Sequence, residues 1–361
     1  ARRGAALRAC DRPVSDAPAI FGRSIMAAPR VTVLTTLYNK GPFVEEAVRS
    51  ALAQTFTDFE LLVVDDLGTD DGMDRVRRFD DPRIRIITNP VNLGRADAAN
   101  RGFDEARGEY IAILDADDIM MPERLAEQVA FLDAHPEVGA LGTYVRYFGR
   151  IDSVGQWPLT DSECRGRILM ADPVLYPSAM FRKAHLDAKG VRCPAGWRVP
   201  GMDYLFLCDL ARATRFANLP KELTRHRLGE QNMRHGRDPV VDRAVLYRVV
   251  FEKFGIPLSE EELELQLMLH DLHTAPPTSE RVKRLHAWCD ELIRRVRHLD
   301  PDTPVVLGRE VQRRWDRLFF RLADRSTAAG FTHLRLSRDR RPDRWRYLLA
   351  TALRGGGKSS R

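Results

Sequence analysis

Between residues 31 and 114 short apolar runs alternate with segments of helical periodicity, and this alternation constrains the fold more than any other feature of the chain. Strands are predicted at 31–36, 60–64, 84–88 and 110–114, with helices at 42–54, 70–79 and 95–107 between them. Such a rhythm is the signature of βαβ units, so the reading is an α/β fold with a mostly parallel central sheet flanked by helices. The run 110–114 is nearly all apolar with a β-branched bias, as suits a strand covered on both faces.

Parallel strands present all their carboxyl ends on one side, where open α/β sheets place their ligand crevice. Thr36, Tyr38, Asn39 and Lys40 follow the first strand; Asp65, Asp66 and Gly68 follow the second; Asn89, Asn92 and Gly94 follow the third. Asp115, Asp117 and Asp118 follow the fourth. Carboxylates this crowded repel one another unless positive charge holds them, and hard oxygen ligands suit Mg²⁺ or Mn²⁺. The competing reading is an acidic turn, with Asp118 capping the next helix. Tyr38 can stack on a base and Asp66 can accept from a base N–H. Equally, Tyr38 suits a half-buried interface, and Asp65-Asp66 with Gly68 suits a plain turn. No GxGxxG or GxxxxGK[ST] follows the first strand, which argues against a dinucleotide-dependent dehydrogenase or a P-loop NTPase.

With 361 residues, 44% of them hydrophobic, the chain is long enough for one large domain plus an extension. Its net charge of +6 is concentrated in the tail, where residues 335–361 hold nine Arg or Lys against two Asp. The body is therefore close to neutral, unlike a nucleic-acid-binding domain. Five scattered cysteines without CxxC spacing read as reduced thiols of a cytoplasmic protein. No apolar run approaches the length of a membrane span. Residues 1–26 read as a disordered leader, with Met26 as an alternative start. After residue 238 the pattern turns helical, with segments at 240–254, 259–270, 279–299 and 311–324 punctuated by Pro257, Pro276, Pro277, Pro301 and Pro304. In the basic tail Trp345, Leu348, Leu349 and Ala352 stand at helical spacing. They suit peripheral contact with the inner face of an anionic membrane, and equally a solvated basic helix.

Residues 31–143 closely resemble the nucleotide-sugar half of family 2 glycosyltransferases, inverting enzymes of the GT-A (Rossmann-like) fold, and the resemblance resumes over 172–235. It implies that Thr36 and Tyr38 line the base site and that Asp66 takes the base N–H. Asp115 and Asp117 match the family's DXD element, with Asp117 the direct ligand of Mn²⁺ or Mg²⁺ and Asp115 nearer the ribose or sugar. Arg95 stands in the loop after Asn92-Leu93-Gly94, where the family places a basic group; many members carry Arg at the position of Ala99. Asp203 matches the family's catalytic base, preceded here by Met202 where many relatives have Glu, and on its residues alone it also reads as a helix-start carboxylate. Arg227 matches the arginine of the loop that closes over the diphosphate. The usual histidine position is Gly229, leaving His226 or His235.

The resemblance divides the chain into a GT-A domain at 27–237, with a nucleotide-sugar half (27–143) and an acceptor half (144–237), a helical extension at 238–334 and a basic tail at 335–361. It implies metal-dependent transfer of a sugar from a nucleoside diphosphate donor, most often a UDP-sugar, to a hydroxyl of a glycan or glycolipid in cell-envelope polysaccharide synthesis. A nucleotidyltransferase with a similar metal site and a catalytically silent sugar-nucleotide-binding scaffold are the alternatives.

Overall fold

The structure, a computed structural model, describes residues 28–229, 236–272, 275–299, 302–337 and 342–355. The leader, His235 and the end of the basic tail lie outside the described residues. The first half is built as the alternation predicts: β1 (Val31–Leu37), α1 (Gly41–Leu52), β2 (Phe59–Asp65), α2 (Gly72–Arg77), β3 (Ile84–Thr88), α3 (Arg95–Glu105) and β4 (Tyr110–Ile113). These strands pair in parallel in the order β3-β2-β1-β4. Every residue of β2 is buried, as for a strand covered on both faces.

The second half runs through β5 (Ile119–Met120), α4 (Arg124–Ala134), β6 (Val138–Gly149), β7 (Ser153–Gly155), α5 (Asp161–Arg167), β8 (Met180–Arg182), α6 (Lys183–Ala188), α7 (Met202–Leu210) and β9 (Arg215–Leu228). It extends the sheet to β3-β2-β1-β4-β8-β6-β9-β5, with β7 beside β6. Here the expected parallel pattern gives way to a mixed one. β8 runs antiparallel to both β4 and β6, while β6 and β9 are parallel. The chain reaches β8 through α5 and then a 3₁₀ turn at Tyr176–Ser178, and the strand enters reversed.

Alternate residues of the central strands feed two cores. Val33, Leu61, Val63 and Ala112 face Val44, Val48 and Leu125 of α1 and α4. Leu34, Leu62, Val64 and Ile111 face Phe103 of α3 and Phe206 of α7, and this second core continues into the C-terminal helices. Those are α8 (Pro239–Lys253), α9 (Glu260–Leu269), α10 (Ser279–Arg295), α11 (Thr303–Arg325), α12 (Thr327–Leu336) and α13 (Pro342–Gly355). α11 begins well before the expected 311 because Pro304 sits in its first turn, where a proline costs no intrahelical hydrogen bond. α12, not expected from periodicity, is started by Ser326, whose side chain accepts from Ala329 N. The tail helix α13 is docked: Leu348 is 4% exposed in a cluster with Phe319, Ala323 and Leu334.

Candidate active site

The carboxyl ends of β1, β2 and β4 open onto a cavity of about 530 Å³ whose lining includes Thr36, Tyr38, Asp66, Arg95, Asp115 and Asp117. Six of the expected site residues are thus brought together, as the strand-end argument requires. Tyr38 is 48% exposed, leaving its ring open to a flat partner. Asp66 is 3% exposed. Its Oδ1 accepts from Asn89 Nδ2 (2.7 Å) and Leu93 N (2.8 Å), and its Oδ2 from Gly94 N (2.9 Å) and Asn92 Nδ2 (3.2 Å). Four donors match the usual capacity of a carboxylate. Asp66 therefore builds the loop at 89–94, and a base N–H must share an oxygen already in use.

Each of the two aspartates expected to meet donor and metal is held by a cation. Lys40 Nζ lies 2.7 Å from Asp117 Oδ2, and Arg95 Nη2 lies 3.0 Å from Asp115 Oδ2. The Asp115 charge is the main cause that raises the Arg95 pKa, against burial, with Asp203 and Asp117 adding to it. Ala99, where many relatives carry the basic group, is 2% exposed inside the second core. Arg95, one turn earlier on α3, is the group that reaches the acidic strand end. No group of three His, Cys, Asp or Glu that could hold a metal is present among the described residues. The donor set suits a cation that takes one carboxylate from the protein and its other ligands from a diphosphate and water, as Mg²⁺ commonly does. Asp117 would be that carboxylate.

Asp118 is no helix cap. α4 starts only at Arg124, and the fully buried Asp118 instead accepts from Arg227 N (2.9 Å) and pairs with His226 Nδ1 (2.7 Å). Burial raises the Asp118 pKa to about 6 against the opposing pull of His226. For His226, burial alone would lower the pKa, but the bond to Asp118 and the acidic charges nearby raise it. The hydrogen-bonded pair, with the Arg227 N–H beside it, fastens β9 to the acidic turn. His226 is thereby a fastening and not a cavity ligand; His235 lies outside the described residues.

Arg227 is placed behind that turn, outside the cavity lining. Its Nε donates to Asp117 O (3.0 Å), it pairs with Glu46, and its guanidinium lies 4.8 Å from the Phe43 ring and 4.3 Å from the Phe148 ring. Asp203 stands in the first turn of α7, its Oδ1 accepting from Tyr204 N at 3.0 Å. Its charge contributes to the raised Arg95 pKa, but Asp203 itself is not among the residues that line the cavity, so the helix-start role is the one its contacts display. Gly201, at φ 102°, begins this helix because a Cβ there would lie 2.5 Å from Leu246 of α8.

Three residues near the site had no signal in the sequence reading. Arg124 is fully buried, donating to the carbonyls of Ile113 (2.9 Å), Pro177 (3.0 Å) and Ala179 (3.2 Å). Burial lowers its pKa to about 9, opposed by the charges of Asp118 and Asp115. It is the positive group behind the acidic turn, and an Arg two residues after Pro122 at a strand-end Asp cluster is the only local hint of it. Trp197 and Arg198, from the loop before α7, line the cavity opposite the strand ends.

A parallel half with paired carboxylates at its strand ends, joined to a mixed half, is a GT-A type fold. The model for "Glycosyl transferase family 2" matches residues 32–185, and over that stretch the chain is similar to the family. It is 28% identical over 239 residues to the putative glycosyltransferase EpsE of Bacillus subtilis, covering 65% of this chain and 86% of EpsE. It is 35% identical over 106 residues to the putative teichuronic acid biosynthesis glycosyltransferase TuaG of the same organism (29% of this chain, 42% of TuaG). With the succinoglycan biosynthesis protein ExoO of Rhizobium meliloti the identity is 39% over 111 residues, 31% of this chain and 32% of ExoO. The match thus spans less than half the length of the latter two. Among solved structures, residues 1–349 of S. aureus TarS in complex with UDP-GlcNAc superpose with a TM-score of 0.56 at 18% identity, covering 92% of this chain and 93% of that one. That likeness speaks to the fold. No helix among the described residues is long and apolar enough to cross a membrane.

Proposed function

We propose that the chain transfers a sugar, with inversion, from a nucleoside diphosphate sugar to a hydroxyl of a glycan or glycolipid used in the cell envelope. The observation that carries this reading is the one cavity in which the ends of β1, β2 and β4 gather the exposed Tyr38 ring, the Asp115 and Asp117 carboxylates and the α3 arginine. A UDP-sugar is the donor proposed, from the family resemblance and from the UDP-GlcNAc bound by TarS. An envelope acceptor is supported by the teichuronic acid and succinoglycan roles in the names of TuaG and ExoO.

In the reaction an acceptor oxygen bonds to the anomeric carbon while the bond from that carbon to the diphosphate oxygen breaks. Asp203 takes the hydroxyl proton as the new bond forms. The diphosphate leaves with the bonding electron pair; Asp117 would hold a Mg²⁺ or Mn²⁺, which would supply charge neutralisation. Lys40 and Arg95 keep the two strand-end carboxylates in place before the donor arrives, and the ordered Asp66 loop excludes water from one wall. Outward-facing Phe331, Trp345, Leu349 and Leu353 near the basic tail form the surface proposed to rest on a membrane.

Calorimetry with UDP, GDP, ADP and CDP, each with Mn²⁺, Mg²⁺ or chelator, tests the donor site. One base should bind only with metal, and Asp117→Ala should abolish that binding. Asp203→Asn should lower kcat by about 10²–10⁴-fold while nucleotide affinity survives. Binding indifferent to metal and to Asp117 overturns the donor site; full activity of Asp203→Asn overturns the base and favours a silent or differently catalysed site.

A further inference from the structure

The charges lining the cavity are unevenly matched. Lys40 is paired with Asp117 and Arg95 with Asp115, while Asp66 is engaged by its own loop. Arg198 makes no ion pair among the described residues; its one hydrogen bond runs from Nη1 to Asn92 Oδ1, at 3.3 Å. The other guanidinium donors are unspent.

Arg198 is nonetheless held in place. The loop that carries it is tied to α3 at two points: Cys193 N donates to Asn100 Oδ1 (2.7 Å) and Gly196 N to Asp97 Oδ2 (2.9 Å). Trp197 packs against the second core, and its indole N–H is buried without an acceptor among the described residues. On the facing side, Gly94 at φ 84° leaves the space that the Arg198 guanidinium fills; a Cβ there would collide with it. A cation brought across the cavity mouth from a remote loop, seated on a glycine and given no carboxylate, is arranged to meet an anion that arrives from solution.

We propose that Arg198 is the phosphate-binding arginine of the donor site, contacting the phosphate oxygens of the nucleotide. The inference rests on the nucleotide-sugar reading of the cavity. A planar guanidinium can present two parallel N–H groups to a phosphate, which an ammonium cannot, so lysine is an incomplete substitute. Arg227, pinned behind the acidic turn by Glu46 and two rings, lines another surface.

The test is titration, with Mn²⁺ or Mg²⁺ present, of uridine, UMP and UDP, and of the guanosine series, into the full chain and into Arg198→Ala and Arg198→Lys, with melting temperatures alongside. Arg198 is exposed, so Arg198→Ala should melt within about 1 °C of the wild type. UMP and UDP should bind about tenfold or more weakly to Arg198→Ala, with nucleoside affinity unchanged within about twofold and Arg198→Lys recovering part of the loss. Equal weakening of nucleoside and diphosphate makes Arg198 a wall of the base pocket and overturns the proposal. Unchanged UDP affinity overturns it as well. If the wild type binds uridine and UDP equally, the phosphate role fails while the nucleotide reading stands; if it binds none of the probes, both fall.

Discussion

In the parallel half, each site residue stands at the end of the strand that delivers it: Thr36 in the last residues of β1 and Tyr38 just after it, Asp66 after β2, Asp115 and Asp117 after β4. In the mixed half and the helices behind it, the residues that matter act across the sequence. Arg198 reaches back to Asn92, His226 to Asp118, and Leu246 of α8 fills the space left by Gly201 beneath Asp203. The helical extension lends no residue to the cavity lining, yet its core is continuous with that of α7. The comparison teaches that one half displays chemistry while the other positions it.

The comparison is sharpest at Arg124, which opens α4 in the mixed half and acts as a support behind the acidic turn at the end of β4. Arg124→Met should cost about 3–5 kcal/mol, read as a fall in melting temperature, because three carbonyls lose their donor and the acidic turn loses its buried positive charge. A loss below about 1 kcal/mol would mean that the turn stands without it.

At the joint between the halves, Gly201→Ala should cost about 2–3 kcal/mol, since the residue must keep φ 102° and its methyl would overlap Leu246. Its sharper signature is kinetic. kcat should fall with the displacement of Asp203 while nucleotide affinity holds; a change in affinity instead would show that the extension supports the donor half directly.

Smaller effects follow on the displaying side. Leu67 holds φ 57° with 40% exposure, a left-handed conformation that costs a leucine about 1 kcal/mol, so Leu67→Gly should raise stability by up to about that amount. Unchanged or lower stability would mean that the leucine side chain contributes packing that offsets the strain.

The pH dependence of the β9 fastening is smaller still. With the His226 pKa raised above 6.5 in the fold, its contribution is fully present below 6.5 and is lost as pH rises through the raised value. NMR titration of the His226 ring should give a midpoint above 6.5 that disappears from the spectrum in His226→Gln, and the stability gap between the two proteins should shrink above neutral pH. A midpoint at or below 6.5 would contradict the pull of Asp118 on the His226 ring.

Much of the first half is legible from the residues in order. β3 falls on the expected 84–88, and the ends of β1, β2 and β4 gather their residues around one cavity. Asp118 illustrates the limit: next to a coming helix it reads as a cap, yet its partners lie more than a hundred residues away on β9. Pro304 is similar, since a proline ends a helix or begins one according to what precedes it.

The sequence by itself determined the strand and helix alternation, the gathering of loops at one sheet edge and the identity of the carboxylates there. Those features follow from local periodicity and from the rule that parallel strands end on the same side. Only the tertiary structure decided that β8 would enter reversed, that Asp66 would spend its oxygens on its own loop, and that Arg198 and not Arg227 would face the cavity. Each of those outcomes depends on which distant side chain packs opposite a given loop, and no local pattern encodes that choice.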